Sequence, residues 1–225
     1  MPHLSYFVPT SGYDPQERER RLAVMRPLLA PGFTIDMLTL SNTPEFLDQA
    51  ADFDAAGRAA RAALGAVGPD ICDVIISGGA LDPGLRELRA AARVPIVGPG
   101  EVSLFLARLL GRRLSIVTVD EHAVAAAKQM VAEMKDRPEV VSIRSMATPV
   151  RQIVADLERG RQALRREATA AVQEDGADVL YLGSMTLPTL GITEELQRTL
   201  RVPVIDPLAV ALHAAQAVAL ALPPR

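Results

Sequence analysis

The amino-acid sequence predicts an α/β fold built from two similar lobes, each with a parallel sheet. Short apolar runs alternate with longer segments of helical periodicity along the 225-residue chain, which is typical of parallel βαβ units. The stretch "DVIISGGALDPG" at residues 73–84 is echoed by "DVLYLGSMTLPT" at residues 178–189. Each is followed by nearly the same heptapeptide, "RVPIVGP" at 93–99 and "RVPVIDP" at 201–207.

The elements follow in order from local patterns. Short apolar runs bounded by turn residues predict strands, and apolar residues three and four positions apart predict helices. The "RERR" stretch at 18–21 alternates with Glu in the first helix and is interpreted as a solvated face. The predicted strands are 4–8, 34–40, 74–77, 96–97, 114–119, 140–143, 179–182 and 204–205. The predicted helices are 16–29, 53–66, 85–92, 102–110, 123–135, 150–174, 194–200 and 209–220.

The internal repeat predicts the domain organisation. A third echo, "RLSIVTVDEH" from Arg113 against "HLSYFVPTSG" from His3, occurs in the same order as the other two. We therefore expect two lobes related by a pseudo-twofold axis, with a cleft between them. Residues 1–98 with 207–225 are expected to form the first lobe, and residues 99–206 the second.

Composition excludes several classes of function. The net charge is −3, no basic run is present and aromatic residues are few, so no nucleic-acid partner is expected. Cys72 is the single cysteine, which rules out an internal disulfide and argues against a cysteine-based metal site. No signal peptide is recognisable, and the apolar tail at 208–222 is short and Ala-rich, with His213 favouring a packed helix. We expect a cytoplasmic protein with no metal, no cofactor and no membrane partner.

The ends of the predicted strands are the candidate binding region, because ligands of parallel α/β sheets bind beyond the carboxyl ends of the strands. Four loops there, at 9–12, 77–81, 118–122 and 183–186, are small and rich in hydroxyl groups. If they converge, their N–H groups and the following helix N-termini form a cradle for a carboxylate. Any one loop is more simply a tight turn, but four at matched places favour a site. The predicted substrate-binding residues are Thr10, Ser11, Ser77, Gly78, Gly79, Ala80, Thr118, Gly183, Met185 and Thr186.

These segments also carry a family resemblance. The stretch "DPGLRELRAAARVPIVGPGE" at 82–101, the strand end "VTVD" and the segment "VLYLGS…RVPVID" resemble the aspartate/glutamate/hydantoin racemase superfamily, and most of all its hydantoin and allantoin racemase branch. The resemblance implies two Rossmann-like (flavodoxin-like) lobes, a cofactor-independent site and a homodimer or higher homo-oligomer. Family racemases place one cysteine at each of two equivalent turns, so that one thiolate removes a proton alpha to a carbonyl and the other thiol returns one from the opposite face.

The sequence departs from the family at both of those turns. The resemblance places the two cysteine positions at Gly79 and Ser184. Glycine has no side chain to react, and a serine hydroxyl is a poor base unless a neighbouring group activates it. Cys72 lies seven residues before Gly79, roughly 20 Å along an extended strand, and is expected to be an inert buried thiol. The two-cysteine mechanism is therefore not available to this chain.

The function expected from this departure is that of an enzyme acting on a small carboxylate or cyclic amide through an enolate-like intermediate. The arylmalonate decarboxylase branch uses a single cysteine, so loss of both thiols favours a lyase, a decarboxylase or a non-racemising isomerase. One alternative is a true racemase with a different base pair. The other is a non-catalytic protein that binds a carboxylate.

Few other side chains are candidates for the chemistry. Ser184 and His122 are the predicted catalytic residues, the latter because imidazole titrates near neutral pH. Asp120 is expected to cap the helix that follows it, and Asp82 to cap a helix with Pro83 at its first position. Tyr13 is either a proton donor or a packing residue.

Overall fold

The computed structural model describes residues 1–41, 43–46, 50–134 and 138–223, with the backbone alone for 50, 51, 53 and 54. The chain divides into two compact units, Met1–Pro99 with Leu208–Arg225, and Gly100–Pro207. Each unit has a four-stranded sheet in which neighbouring strands are parallel. The predicted α/β class with two parallel sheets is confirmed.

The first unit has the strand order β2-β1-β3-β4. Its two central strands are buried on both faces, with Leu4 and Ile75 completely inaccessible, as expected for a parallel sheet covered by helices. The elements are β1 (His3–Val8), α1 (Pro15–Met25), β2 (Thr34–Thr39), α2 (Ala50–Leu64), β3 (Val74–Ser77), α3 (Leu85–Ala91), β4 (Ile96–Val97) and the last helix of the chain, α9 (Pro207–Ala221).

The second unit repeats this topology, with the strand order β6-β5-β7-β8. Its central strands are again buried, including Ile116 and Leu180. The elements are α4 (Pro99–Leu110), β5 (Arg113–Thr118), α5 (Glu121–Glu133), β6 (Glu139–Ser145), α6 (Val150–Ala155), α7 (Leu157–Gln173), β7 (Val179–Leu182), α8 (Thr193–Leu200) and β8 (Val204–Ile205).

The repeated Asp-Val dipeptide makes the same contact in both units. The Asp73 carboxylate accepts a hydrogen bond from the backbone N–H of His3 at 2.7 Å. The Asp178 carboxylate accepts one from the backbone N–H of Arg113, also at 2.7 Å. Each aspartate therefore ties the start of the unit's central strand to the strand beside it, which gives a physical reason for the repetition in the sequence.

Two helices differ from the sequence prediction. The predicted helix 150–174 is broken at Asp156, which has an extended backbone and caps α7 by accepting a hydrogen bond from Arg159 N–H at 3.0 Å. The predicted helix 16–29 ends as α1 at Met25 and continues as a 3-10 turn over Arg26–Leu28. Pro27 explains this end, since proline has no N–H for a helical hydrogen bond.

Two further predictions concern helix α5 and the last helix of the chain, α9. The helix predicted at 123–135 is α5, which starts at Glu121, and Lys135 lies outside the described residues. The apolar tail predicted as a packed helix is α9, with Leu212 and Ala215 buried, while His213 lies exposed on the other face of the helix. Among the described residues, none of the helices combines the length and apolar character needed to span a membrane.

Candidate active site

In the turn after β3, the second glycine, Gly79, has no room for a side chain. Ser77 and Ala80 are buried, and Gly78 and Gly79 are half-buried. The Gly79 carbonyl accepts a hydrogen bond from Asp82 N–H at 3.0 Å. A Cβ atom at Gly79 would lie 2.5 Å from Cδ of Pro83, a distance at which the proline ring would have to move. This turn therefore excludes not only a thiol but any side chain in its present conformation.

The turn after β7 is held by its own hydrogen bonds. Gly183 N–H donates to the Val117 carbonyl at 2.8 Å, and the Thr118 hydroxyl donates to the Gly183 carbonyl at 2.9 Å. The half-buried Ser184 accepts a hydrogen bond at Oγ from Thr186 N–H at 3.3 Å. Among the described residues no imidazole or carboxylate contacts this hydroxyl, so nothing there activates Ser184 as a base.

The strand register makes the two turns equivalent. Val74 pairs with Leu4 in the first unit, and Val179 pairs with Leu114 in the second. Counting along each strand from these pairs, Gly78 corresponds to Gly183, and Gly79 corresponds to Ser184. The two positions that the family resemblance assigned to cysteines thus occupy the same place in two matching turns.

Neither turn leads directly into an α-helix, contrary to the expectation of a helix N-terminus at each. After β3, the chain passes through Asp82 in a left-handed conformation before α3, whose N-cap is Gly84. The prediction that Asp82 caps α3 is therefore wrong. After β7, a 3-10 turn over Leu187–Leu190 precedes α8. Anion binding at these turns would depend on backbone N–H groups, and Gly79 and Met185 N–H donate no hydrogen bond to any described residue.

Several polar groups in the loops after β1 and β5 are buried or already hydrogen-bonded within the fold. Thr10 is buried, and the Ser11 hydroxyl donates to the Thr43 carbonyl at 2.8 Å. In the second unit Asp120 caps α5 by accepting a hydrogen bond from Ala123 N–H at 2.9 Å, as predicted. His122 lies exposed in the first turn of that helix. Met185 and Thr186, the remaining predicted binding residues, are buried.

A cluster around Arg21 was missed from the sequence, and the interpretation of residues 18–21 as a solvated face is wrong at this residue. Arg21 is completely buried, and its guanidinium lies 4.0 Å from the ring centroid of Tyr13, a cation–π contact. Arg21 Nε also donates to Glu17 at 2.7 Å. Alternating Arg and Glu gave no signal of this burial, because the partner rings come from outside the helix.

The cluster fixes the ionisation states of its members. Burial raises the pKa of the Tyr6 phenol despite the Arg21 charge nearby. Burial alone would raise the pKa of Glu17, but the hydrogen bonds and charges of Arg20 and Arg21 outweigh it and lower that pKa. Tyr13, which directly precedes the cap of α1, is thus held against a buried cation, and packing is the role that the geometry supports for it.

The one cysteine lies away from these turns in the core of the first unit. Cys72 is 2% exposed and packs in a cluster that includes Leu64, Val67 and Ile75. Its predicted burial is therefore confirmed. No group of three or more metal-ligating side chains occurs among the described residues. A groove of about 480 Å³ beside β6 is lined by Lys128, Val131, Pro138, Glu139, Val140, Ser142 and Ile143, and it includes none of the predicted site residues.

The two units have four-stranded parallel sheets of the same topology. A small-residue turn follows β3 in the first unit and the equivalent strand β7 in the second. The chain is therefore a duplicated α/β protein. The chain belongs to the Asp/Glu/Hydantoin racemase family, whose sequence model matches residues 20–215. The predicted resemblance is therefore confirmed.

Individual relatives fall in the hydantoin and allantoin racemases. The chain is 34% identical over 125 residues to a hydantoin racemase of Pseudomonas sp. strain NS671, a match that covers 56% of this chain and 49% of that protein. The chain thus spans about half the length of this curated relative. The allantoin racemase from Klebsiella pneumoniae shares the fold, with a TM-score of 0.87 at 23% identity over 99% of this chain and 89% of that one. Allantoin racemase from Pseudomonas fluorescens gives a TM-score of 0.84 at 25% identity, over 99% and 92%.

Proposed function

We propose that this protein is a cofactor-independent enzyme that acts on a small cyclic amide or carboxylate through an enolate-like intermediate, without two-thiol racemisation. The substrate class is supported by family membership and by the likeness to proteins named hydantoin racemase and allantoin racemase. The reaction class is a lyase, such as a decarboxylase, or a non-racemising isomerase. The proposed substrate-binding residues remain those of the turns at 77–80 and 183–186, with Thr10, Ser11 and Thr118.

The observation that carries the proposal is the chemistry of the two equivalent turns. Racemisation needs an acid and a base on opposite faces of one carbon. Gly79 supplies neither and is packed against Pro83, and Ser184 has no described neighbour that would activate it. Cys72 is buried in the core of the first unit. The arrangement supports proton transfer at one face only.

The turns are still suited to stabilising negative charge. When the bond from the alpha carbon to a carboxylate group breaks, carbon dioxide leaves and the electron pair of that bond moves onto the remaining carbonyl oxygen as an enolate. A backbone N–H group of one of these turns, that of Gly79 or that of Met185, would then donate a hydrogen bond to that oxygen, which is the usual way proteins stabilise such charge. A single proton, delivered to the alpha carbon, then completes the decarboxylation.

Ser184 and His122 have different proposed roles in this scheme. The Ser184 hydroxyl, already an acceptor from Thr186 N–H, keeps its own proton to donate to substrate. His122 is the proposed proton donor by residue type, since imidazole exchanges protons near neutral pH. Its exposed position means that solvent is the source of that proton.

The proposal is tested by a thermal-shift screen of the purified protein against hydantoins, malonates and simple mono- and dicarboxylates. Any compound that binds is then incubated with the enzyme, and carbon dioxide release and incorporation of solvent deuterium are measured. Turnover with product of one handedness supports the proposal. Binding with no turnover would identify a non-catalytic carboxylate-binding protein, and racemic product would point to a racemase with a different base pair.

Ser184→Ala separates binding from chemistry. A hydrogen bond to a charged partner contributes roughly 1.5–3 kcal/mol, so this variant is expected to weaken binding by about ten- to a hundredfold. Loss of turnover with unchanged binding would instead place Ser184 in the chemical step. No change in either would move the site away from this turn. Cys72→Ala is the matched control and is expected to leave binding and turnover unchanged.

A further inference from the structure

Helix α4 carries a row of large apolar side chains on its outer face. Val102, Phe105, Leu106 and Leu109 are spaced by three, four and seven residues, so they share one side of the helix; we call them the α4 stripe. Phe105 is 60% exposed and Leu109 is 70% exposed, while Val102 and Leu106 are half-buried. Contiguous apolar surface of this kind is typical of protein–protein contacts.

The internal repeat shows that the fold does not require this stripe. Helices α4 and α9 both begin at the proline that closes the repeated heptapeptide, Pro99 and Pro207. The next three turns have nearly the same pattern of exposure. At the positions equivalent to the stripe, α9 carries Val210, His213, Ala214 and Ala217. The same place in the other unit is therefore filled by smaller or polar side chains, and the bulk on α4 calls for another explanation.

We propose that the α4 stripe is the surface through which two copies of this chain associate, with the two α4 helices antiparallel about a twofold axis. A twofold contact requires a face that complements itself. Glu101 and Arg108 are seven residues apart, so they lie two turns apart on the same flank of the stripe. In an antiparallel pair, Glu101 of each copy lies next to Arg108 of the other. The surface is thus self-complementary in charge.

The contact has the composition of a modest interface. Phe105 and Leu109 form its apolar centre, and Glu101, Arg108 and the half-exposed Leu110 its edge, the usual arrangement of an apolar core with a polar rim. A standard interface buries roughly 800 Å² on each partner, more than one helix face provides. Dimerisation is therefore expected to depend on concentration in the micromolar range.

Sedimentation velocity of the full chain over a range of concentrations tests the proposal, with Leu109→Lys as the first variant. This change is expected to raise the dissociation constant by about a hundredfold or more, because the contact would bury an unpaired ammonium group. Circular dichroism checks that the exposed substitution leaves the fold intact. Ala217→Lys, at the equivalent exposed position of α9, is the matched control and is expected to leave the dimer unchanged.

A charge exchange tests the antiparallel arrangement. Glu101→Lys and Arg108→Glu are each expected to weaken the dimer by several fold, because each places like charges together across the axis. The double variant restores opposite pairs in both copies and is expected to restore association. A wild-type protein that stays monomeric, a Leu109→Lys variant that still dimerises, loss of the dimer in Ala217→Lys, or a double variant no better than the singles would each overturn the proposal.

Discussion

Gly79 and Ser184 occupy the same position in two matching turns, but the turns differ in the space they leave for a side chain. Ser184 is accommodated with its hydroxyl accepting from the backbone. At Gly79 the ring of Pro83 fills the place of a Cβ atom. The turn at Gly79 is therefore packed so that it admits no side chain in its present conformation.

Gly79→Ala is expected to destabilise the protein by about 1–3 kcal/mol, the usual cost of overpacking. The reason is the 2.5 Å approach of the new Cβ to Pro83 Cδ. Urea unfolding measures the change in the free energy of unfolding. Gly57→Ala is the control, since a Cβ there lies in helix α2 with its nearest contact at 3.8 Å, and it should stabilise by up to about 1 kcal/mol. A Gly79→Ala variant as stable as wild type, or one not rescued by adding Pro83→Ala, would show that Pro83 does not close the turn.

Arg21→Ala is expected to cost about 3–5 kcal/mol, the penalty for removing one partner of a buried ion pair. The variant would leave Glu17, only 9% exposed, without the cation that packs between it and Tyr13. Arg20 donates to the same carboxylate, but its side chain is 28% exposed, so Arg20→Ala should cost about 1 kcal/mol or less. Thermal and urea unfolding compare the pair. Equal effects for the two variants would contradict the role given to burial.

At the scale of elements, ion pairs join α7 to the edge strand of the second sheet. Arg144 in β6 donates from Nε to Asp175 at 2.6 Å and from a terminal nitrogen to Glu174 at 2.7 Å. Asp175 directly follows the cap of α7, so this contact fixes where the helix end meets the strand. The side chains of Arg144 and Asp175 are 20% and 22% exposed, whereas Glu174 is 69% exposed.

Asp175→Asn is expected to lower stability at neutral pH by roughly 1.5–3 kcal/mol, because it removes a charge-assisted pair. The hydrogen bond from Arg144 lowers the pKa of Asp175 below its ordinary value of 3.8. The pair therefore stabilises the fold above pH 3.8, and this contribution is lost as the pH falls through the lowered folded-state pKa. Unfolding of both proteins from pH 7 downwards should show the difference shrinking only in that acid range. Glu174→Gln is the control, with an expected change of about 0.5 kcal/mol or less.

The elements themselves were largely predictable, for identifiable reasons. Strands such as 74–77 and 179–182 match the prediction because a buried parallel strand is a short apolar run bounded by turn residues. The break between α6 and α7 was not predicted, since Asp156 interrupts no apolar periodicity and acts only through its cap. The burial of Arg21 was not predicted either, because it depends on Tyr6 and Tyr13, which lie outside the helix that carries Arg21.

At the scale of the whole molecule, the duplicated sequence and the family match agree. Both units share the Asp-Val dipeptide, the strand register and the strand order. This duplication is why the amino-acid sequence by itself could indicate both the fold and the family. The candidate site was less predictable. The repeat placed Gly79 and Ser184 in matching turns, and the family resemblance singled them out. The closure by Pro83 and the absence of an α-helix directly after either turn depend on backbone conformation, which the residue pattern does not specify.

The most direct test is to incubate single enantiomers of a 5-substituted hydantoin with the protein in heavy water, and to follow optical rotation together with deuterium uptake at the alpha carbon. Without an acid and a base on opposite faces of that carbon, we predict that the rotation stays at the level of the enzyme-free control, whether or not deuterium enters. Enzyme-dependent loss of rotation accompanied by deuterium uptake would contradict the account, because it would show that this chain carries an acid and a base on opposite faces of the alpha carbon.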